Sequence, residues 1–579
     1  MRALVRLMAA ACTVAITVPG VTACTGPNPP PTPSPGARCA RTTSPFAVAA
    51  STGSSRAPKQ WAAVIAKTGV CTVRGFADDA ADVAVQTGAG LSLTGILMWS
   101  PDESHHAFPV DDIPGWQSYV RRMVAAYPHV DHWEIWNEPP NFTTDTDPAH
   151  YAKVVQAAYD TVKQIDPRLQ VGIAVKSTNI RWLAEAIAAG ARHHFDYVAL
   201  HPYERAELLP TGNEIGFLSI VPTLRAMLRD VAPDQAAVPV VFSEVGIPTS
   251  VKGRSFDITT VSADVQADVL VKVYAMGLAQ GVRMIAWFDP WDGDYIPAGQ
   301  SDPPYGLVAK NGTPRPACTA LTSLIGALGQ DPTYLGQAQL GGSGHGYVFA
   351  FAAGSDVVLV AWASGGTGPV LTFGQDVQVT APSTGSSTRS TSVRLRPGPV
   401  LIRTTGKDAA DWRSRTGATP SASASASASG QPTDPATVSY SAKDGADGLT
   451  WVGPPQTSVV DGRAAVPMSA TPTAKLIVDP RFSVWTPTAV TVSVQVHQLG
   501  GGAGLNLKYD ANAPVATLDW AGEKVAGNWQ AVPDGGWTTL TWHVPDASFV
   551  GMFGFELQLD SDSTDHSSYA ISNISVTRG

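Results

Sequence analysis

Between Ser44 and Gly329 the chain alternates short β-branched or aromatic runs with longer segments of helical period, and this alternation limits the fold more than any other feature. The runs are Phe46 to Ala50, Cys71 to Phe76, Ser92 to Met98, His132 to Trp136, Gln170 to Val175, Tyr197 to His201, Val238 to Ser243 and Met284 to Phe288. Helical segments follow them, around Pro58 to Lys67, Asp78 to Thr87, Trp116 to Tyr127, Ala149 to Ile165, Ile180 to Ala191, Ile215 to Arg229, Ser262 to Gln280 and Pro316 to Leu328. Strands separated by a helix-length crossover pair in parallel. Eight such units, within a stretch close to the ~250 residues typical of the fold, predict an α/β chain whose residues 44–329 form a closed (β/α)8 TIM barrel.

The rest of the chain reads as all-β. Tyr347 to Trp362 and Val393 to Arg403 predict a small accessory β-domain over 330–408. From Ser421 to Gln431 Ser and Ala alternate, a composition that cannot bury a core, so 409–436 reads as a Ser/Ala/Pro linker. The last segment, 437–579, has many short alternating runs, among them Ala489 to Val496, Trp537 to His543 and Ala570 to Val576, and predicts a β-sandwich. A length of 579 residues, 44% of them apolar, supports several cores.

Residues 1–23 read as an export signal, with Arg2 and Arg6 before the apolar run Leu7 to Val18. The following Val21-Thr22-Ala23-Cys24 resembles a bacterial lipobox, which implies lipidation of Cys24. The Pro-rich stretch 24–43 then becomes a tether holding the barrel off the outer face of the cell membrane, the other outcome being plain secretion. Cys39, Cys71 and Cys318 remain for disulfides; Cys39 precedes the first strand and Cys71 opens the second, so these two are expected to pair. A composition rich in Ala, Gly and Pro and poor in Lys, beside the lipobox, suggests an actinobacterial source.

A net charge of -9 with 15% charged residues gives no basic field for nucleic acid. Neutral partners fit better, and 16 Trp and 14 Tyr supply flat faces on which sugars stack, unless those rings are core. No metal-ligand spacing or phosphate-cradling Gly loop occurs, so neither cofactor nor metal is expected. The working unit is expected to be a monomer.

In such barrels the functional side chains stand at the C-terminal ends of the strands. Strand four ends Trp133-Glu134-Ile135-Trp136-Asn137-Glu138-Pro139-Pro140 and strand seven ends Val240-Val241-Phe242-Ser243-Glu244-Val245-Gly246, which brings two carboxylates to one rim. Hydrolysing an acetal needs a proton for the leaving oxygen and a nucleophile at the anomeric carbon, and two carboxyls in different environments supply both. Trp136-Asn137-Glu138-Pro139, with Ala199-Leu200-His201-Pro202-Tyr203 on strand six, resembles glycoside hydrolase clan A, and within it family thirty-nine, of β-xylosidases and bacterial exopolysaccharide hydrolases. The resemblance covers about half the chain.

By that resemblance Glu138 is the general acid/base and Glu244 the nucleophile. Asn137 would bind the sugar 2-hydroxyl, Arg74 would support the nucleophile, His201 or Tyr203 would orient it, and Trp287 would floor the first sugar subsite. Trp99, Trp291 and Tyr295 lie in rim loops where further sugars could stack, and His105 and His106 either line the cleft or are solvated loop. Glu134 reads as a barrel-interior ion pair. One departure is that Val245 and Gly246 follow the nucleophile, where many clan members carry an aromatic residue. The implied activity is a retaining O-glycosidase cleaving a neutral extracellular or cell-wall polysaccharide or oligosaccharide through a covalent intermediate, with transglycosylation sharing that intermediate. The alternative is a non-catalytic glycan-binding or wall-scaffold lipoprotein. The sandwich is a candidate carbohydrate-binding module if Trp451, Trp485, Trp520, Trp529, Trp537 and Trp542 form a stacking surface rather than core.

Overall fold

The computed structural model describes the chain from Ser44 to Gly579 apart from residues 78, 99–106, 142, 253, 255–257, 294–302, 339–345, 365, 417–434, 454, 469–472, 483–484, 501–503, 512–522, 528, 552–553 and 562–567. Strands β1 (Phe46–Ala49), β2 (Thr72–Gly75), β3 (Ser92–Leu97), β4 (His132–Ile135), β5 (Gln170–Val175), β6 (Tyr197–Leu200), β7 (Val240–Val245) and β8 (Met284–Phe288) pair in parallel and in sequence order. β1 closes on β8 with Ala47 opposite Ala286, completing the barrel. Cys24, the export signal and the Pro-rich tether lie outside the described residues.

Period-two alternation sorts each strand into an inner and an outer face. Phe46, Val48, Trp133, Ile135, Ile285 and Trp287 point outward into the main core beneath the helices. Ala47, Ala49, Ala286 and Phe288 point inward, where small residues let the barrel close around larger ones such as Tyr197 and Met284. Gly172 sits opposite Tyr197, and a Cβ there would come within 2.2 Å of the ring. Prolines follow closely on three strand ends, Pro139, Pro202 and Pro290, and their missing N–H stops the ladder where the mouth begins.

The accessory domain is a six-stranded antiparallel sheet running Ser386–Arg394, Val370–Ala381, Val400–Thr404, Asp356–Ala363, Gly346–Ala353, Thr333–Gln337. It is tied to the barrel through Glu214, fully buried, which accepts from Lys272 at 3.0 Å, from Trp362 Nε1 at 2.9 Å and from Ser364 Oγ at 2.8 Å. A helix, Gly406–Thr416, closes this domain by inserting Ala409 and Trp412 into its core, so residues 409–416 are part of the domain and not linker. Their burial at helical spacing outweighs the polar composition that suggested a spacer. The C-terminal unit packs two antiparallel sheets face to face around Val492, Val494, Leu507, Leu557 and Ile574. Cys71 and Cys318 are both disulfide-bonded, and Cys39 lies outside the described residues.

Candidate active site

At the C-terminal mouth β4 does not simply stop. Trp136 and Glu138 adopt left-handed backbone, φ 67° and 48°, which no β-strand permits. The first turn sends the Trp136 ring outward against Phe108 and Trp116, and the second swings Glu138 back over the barrel. β7 achieves a similar result by an irregularity in its pairing with β8 between Phe242 and Val245. Ser243 and Glu244, neighbours that regular alternation would send to opposite faces, both make contacts in the mouth.

Arg74 rises from β2 with no exposed surface and bridges the two carboxylates of the interior, Glu134 and Glu244, through separate Nη atoms. Its Nη2 also donates to Asn137 Oδ1 at 2.8 Å. Glu244 accepts a second bond, from the Tyr203 hydroxyl at 2.8 Å, and Tyr203 is kept neutral because burial, then the neighbouring Glu244, hold its pKa far above the usual phenol range. On the other side His201, fully buried, places Nδ1 2.9 Å from Glu138 Oε1 and Nε2 3.0 Å from Ser243 Oγ. Asn141 Nδ2 donates to the remaining Glu138 oxygen at 3.0 Å.

The consequence is a shared proton. Burial alone would raise Glu138, but His201 and then Asn141 outweigh it and hold this carboxyl well below its ordinary 4.5. Burial lowers His201, and Glu244 and Glu138 outweigh that in turn, so its pKa stands above 6.5. The proton of the pair therefore rests on the imidazole, with Glu138 ionised. One ligand atom from each of Glu138, His201 and Glu244 lies within 4.8 Å of the others, a spacing that could also hold a cation. Each of the three already has protein donors or acceptors, and the Arg74 charge stands directly beside Glu244.

The mouth thus assembles Glu244, Asn137, Arg74 and Tyr203 in one hydrogen-bonded set and Glu138 with His201 in a second, His201 Nδ1 approaching Glu244 Oε2 to 3.6 Å between them, and Glu134 lies beneath with no exposure. Trp287 does not join it. It faces outward and is fully buried in the main core, while Phe288, one residue on, packs its ring edge-on against Tyr203 and Tyr305 at centroid distances of 5.9 and 5.2 Å. The inward place that the resemblance gave to Trp287 belongs by strand parity to Phe288. The departure at Gly246 has a steric reason, since a Cβ there would lie 2.4 Å from the Phe288 carbonyl oxygen. Trp291 is half-buried, with its main chain tied to Asp289 and Ser54 and its ring against Gly293. Trp99, Tyr295, His105 and His106 lie outside the described residues. Sequence reasoning missed Ser243, Asn141 and Phe288, although the first two lie one and three residues from the carboxylates and the third follows from the alternation with Ala286.

In the sandwich Trp451, Trp485 and Trp542 are buried, and Trp520 is outside the described residues. Trp537 is half-buried beneath the Arg463 guanidinium and beside His497. Only Trp529, 48% exposed, is an open face among the described members of the set, so they do not form a joint stacking platform.

The fold and the mouth define a (β/α)8 barrel with two carboxylates paired across its C-terminal opening. Solved structures with a similar fold include a family 39 glycoside hydrolase from Bacteroides cellulosilyticus, at 15% identity over 62% of this chain and 80% of that one with a TM-score of 0.49. A family 30 endoxylanase from Clostridium papyrosolvens matches at 11% identity over 63% and 97%, TM-score 0.44, and a family 53 catalytic domain from Ignisphaera aggregans at 14% over 52% and 98%, TM-score 0.37. No family model matches the sequence, and no curated protein is similar to it.

Proposed function

We propose that this chain is a retaining O-glycosidase acting on a neutral carbohydrate, exported and held by a lipid on Cys24 at the outer face of the membrane. The observation that carries the reading is the approach of a Glu138 carboxylate oxygen to within 4.8 Å of one from Glu244. Retaining enzymes hold their carboxyls about 5–5.5 Å apart, whereas inverting ones need roughly 6.5–9.5 Å to admit a water. Glu244, aimed by Arg74 and Tyr203, attacks the anomeric carbon as the glycosidic C–O bond breaks, and the proton of the Glu138–His201 pair passes through Glu138 to the departing oxygen. Water then attacks the glycosyl ester, Glu138 takes its proton, and Glu244 leaves as carboxylate.

The test is a panel of aryl glycosides and wall polysaccharides, with proton NMR of the first-formed product of any substrate cleaved. Retained anomeric configuration supports the reading. Inverted configuration overturns the mechanism, and binding of glycans without turnover overturns the enzyme reading in favour of a scaffold.

The shared proton has its own signature. In wild type the basic limb of kcat/KM is expected above pH 6.5, where the pair loses its proton, and in His201→Asn it changes position because Glu138 then titrates without the partner that lowers it. An unmoved limb would assign the titration to another group. Stability follows the same pair. The lowered Glu138 contributes above 4.5 and fades as pH falls, the raised His201 contributes below 6.5 and fades as pH rises, so the melting difference between wild type and His201→Asn should peak between pH 4.5 and 6.5.

A further inference from the structure

Two buried arginines of the barrel make hydrogen bonds whose described partners all belong to the C-terminal sandwich. Arg205, 3% exposed, lies in the short helix Tyr203–Glu207 and donates through Nη2 to Glu556 Oε1 at 3.1 Å and to the Val550 carbonyl at 3.3 Å. Arg181, 2% exposed, begins the helix Ile180–Ala186 and donates to Asp510 Oδ1 and to the carbonyls of Ala511 and Ser548. Asp510 in turn accepts the N–H groups of Val550 and Gly551 at 2.7 and 2.8 Å, and Glu556 accepts that of Val478 at 3.0 Å. One sandwich loop is thus braced from both sides.

The fit is close as well as charged. Gly551 has φ 58°, and a Cβ there would stand 1.7 Å from Arg205 Nη2. At Gly554 it would lie 3.2 Å from Leu208 and 3.5 Å from the Glu204 carbonyl. Val550 and Trp485 belong to the barrel's own core cluster, and Trp485 Nε1 donates to Asp230 at 2.9 Å. A loosely tethered module would bury neither two ion pairs nor apolar side chains against its neighbour.

Arg205 stands next to the chemistry in sequence, and Arg181 reaches it through a neighbouring turn. Arg205 is two residues from Tyr203, the donor to Glu244, and four from His201. Arg181 lies in the first turn of the helix that follows Lys176 and Ser177, where the Ser177 carbonyl accepts the His201 N–H at 3.0 Å and Lys176 N–H donates to the carbonyl of Pro139, next to Glu138, at 2.9 Å. We propose that the C-terminal β-sandwich is a positioning part of the catalytic centre, acting through Arg205 and Arg181 on the loops that carry Tyr203, His201 and Glu138. This rests on the glycosidase reading above and gives the domain a role in the rate of the reaction on substrates too small to touch it.

The test uses the full chain with Arg205→Met, Arg205→Lys and Glu556→Gln, the last keeping size and acceptor while removing charge. For a small aryl glycoside, Arg205→Met is expected to lower kcat about 10- to 100-fold at temperatures well below its melting point, with KM nearly unchanged and partial rescue in Arg205→Lys. Amide exchange in residues 201–208 should quicken in Arg205→Met and Glu556→Gln while residues 284–288 keep wild-type protection. Folded variants with wild-type kcat and wild-type exchange overturn the proposal, as does a lowered melting point with neither changed. If the wild-type chain cleaves no glycoside, the glycosidase reading fails by itself and the exchange measurement still decides whether the sandwich orders the site.

Discussion

Glu244→Gln is expected to lower turnover of every substrate by on the order of 10⁴- to 10⁶-fold, because it removes the carboxylate that forms the covalent bond in the proposed mechanism while leaving the mouth's shape intact. The amide oxygen can still accept from Arg74 while its NH2 takes the second position and donates to the Tyr203 oxygen, so the variant should fold and bind sugar. Glu138→Gln differs in a way that separates the two roles. Its loss should be about 10²- to 10⁴-fold on substrates whose leaving group needs a proton, and much smaller for glycosylation of the enzyme by an activated aryl glycoside that leaves unaided. Steady-state rates against leaving-group pKa, with the covalent intermediate followed by mass spectrometry, check both. Equal losses with all leaving groups would sink the assignment of Glu138 as acid, and accumulation of intermediate in Glu244→Gln would sink that of Glu244 as nucleophile.

The second large effect is on stability. Arg74→Met removes the guanidinium that bridges Glu134, which has no exposed surface, to Glu244. Removing one partner of a buried ion pair is destabilising by about 3–5 kcal/mol, since the stranded charge must be neutralised or hydrated. Arg74→Lys should recover little, because one ammonium cannot reach Glu134, Glu244 and Asn137 together as the guanidinium fork does. Denaturant melts of wild type, Arg74→Met and Arg74→Lys at pH 7 measure the deficit. A variant as stable as wild type at pH 7 would mean that the interior charges are not coupled through Arg74.

The sequence made the barrel legible because each strand is short, apolar and followed by an amphipathic helix, a local pattern. The residues of the mouth were legible for the related reason that strand ends are positions, and Arg74, Glu138, His201, Tyr203 and Glu244 all stand at or just beyond one. The assignment of Trp287 shows where this stops. Ile285-Ala286-Trp287-Phe288 is apolar on both faces, so composition hides which residue faces in, and only the parity set by Ala286 against Ala47 decides it. Arg181 and Arg205 were illegible for a different reason. A lone arginine on an amphipathic helix reads as surface, and the partners that bury these two lie more than 300 residues away in another domain. The tryptophans of the sandwich were ambiguous because a core ring and a binding ring have the same sequence signature.

The left-handed backbone at Trp136 and Glu138 bears on how such a chain can be engineered. Non-glycine residues there are strained by about 1–2 kcal/mol each, and glycine would relieve the strain. At position 136 that relief is set against the packing of the indole on Phe108 and Trp116, and at 138 against the bonds from His201 and Asn141. A directed-evolution library ranked by melting temperature therefore reads those contacts and not turnover at this turn, and a screen has to impose both at once.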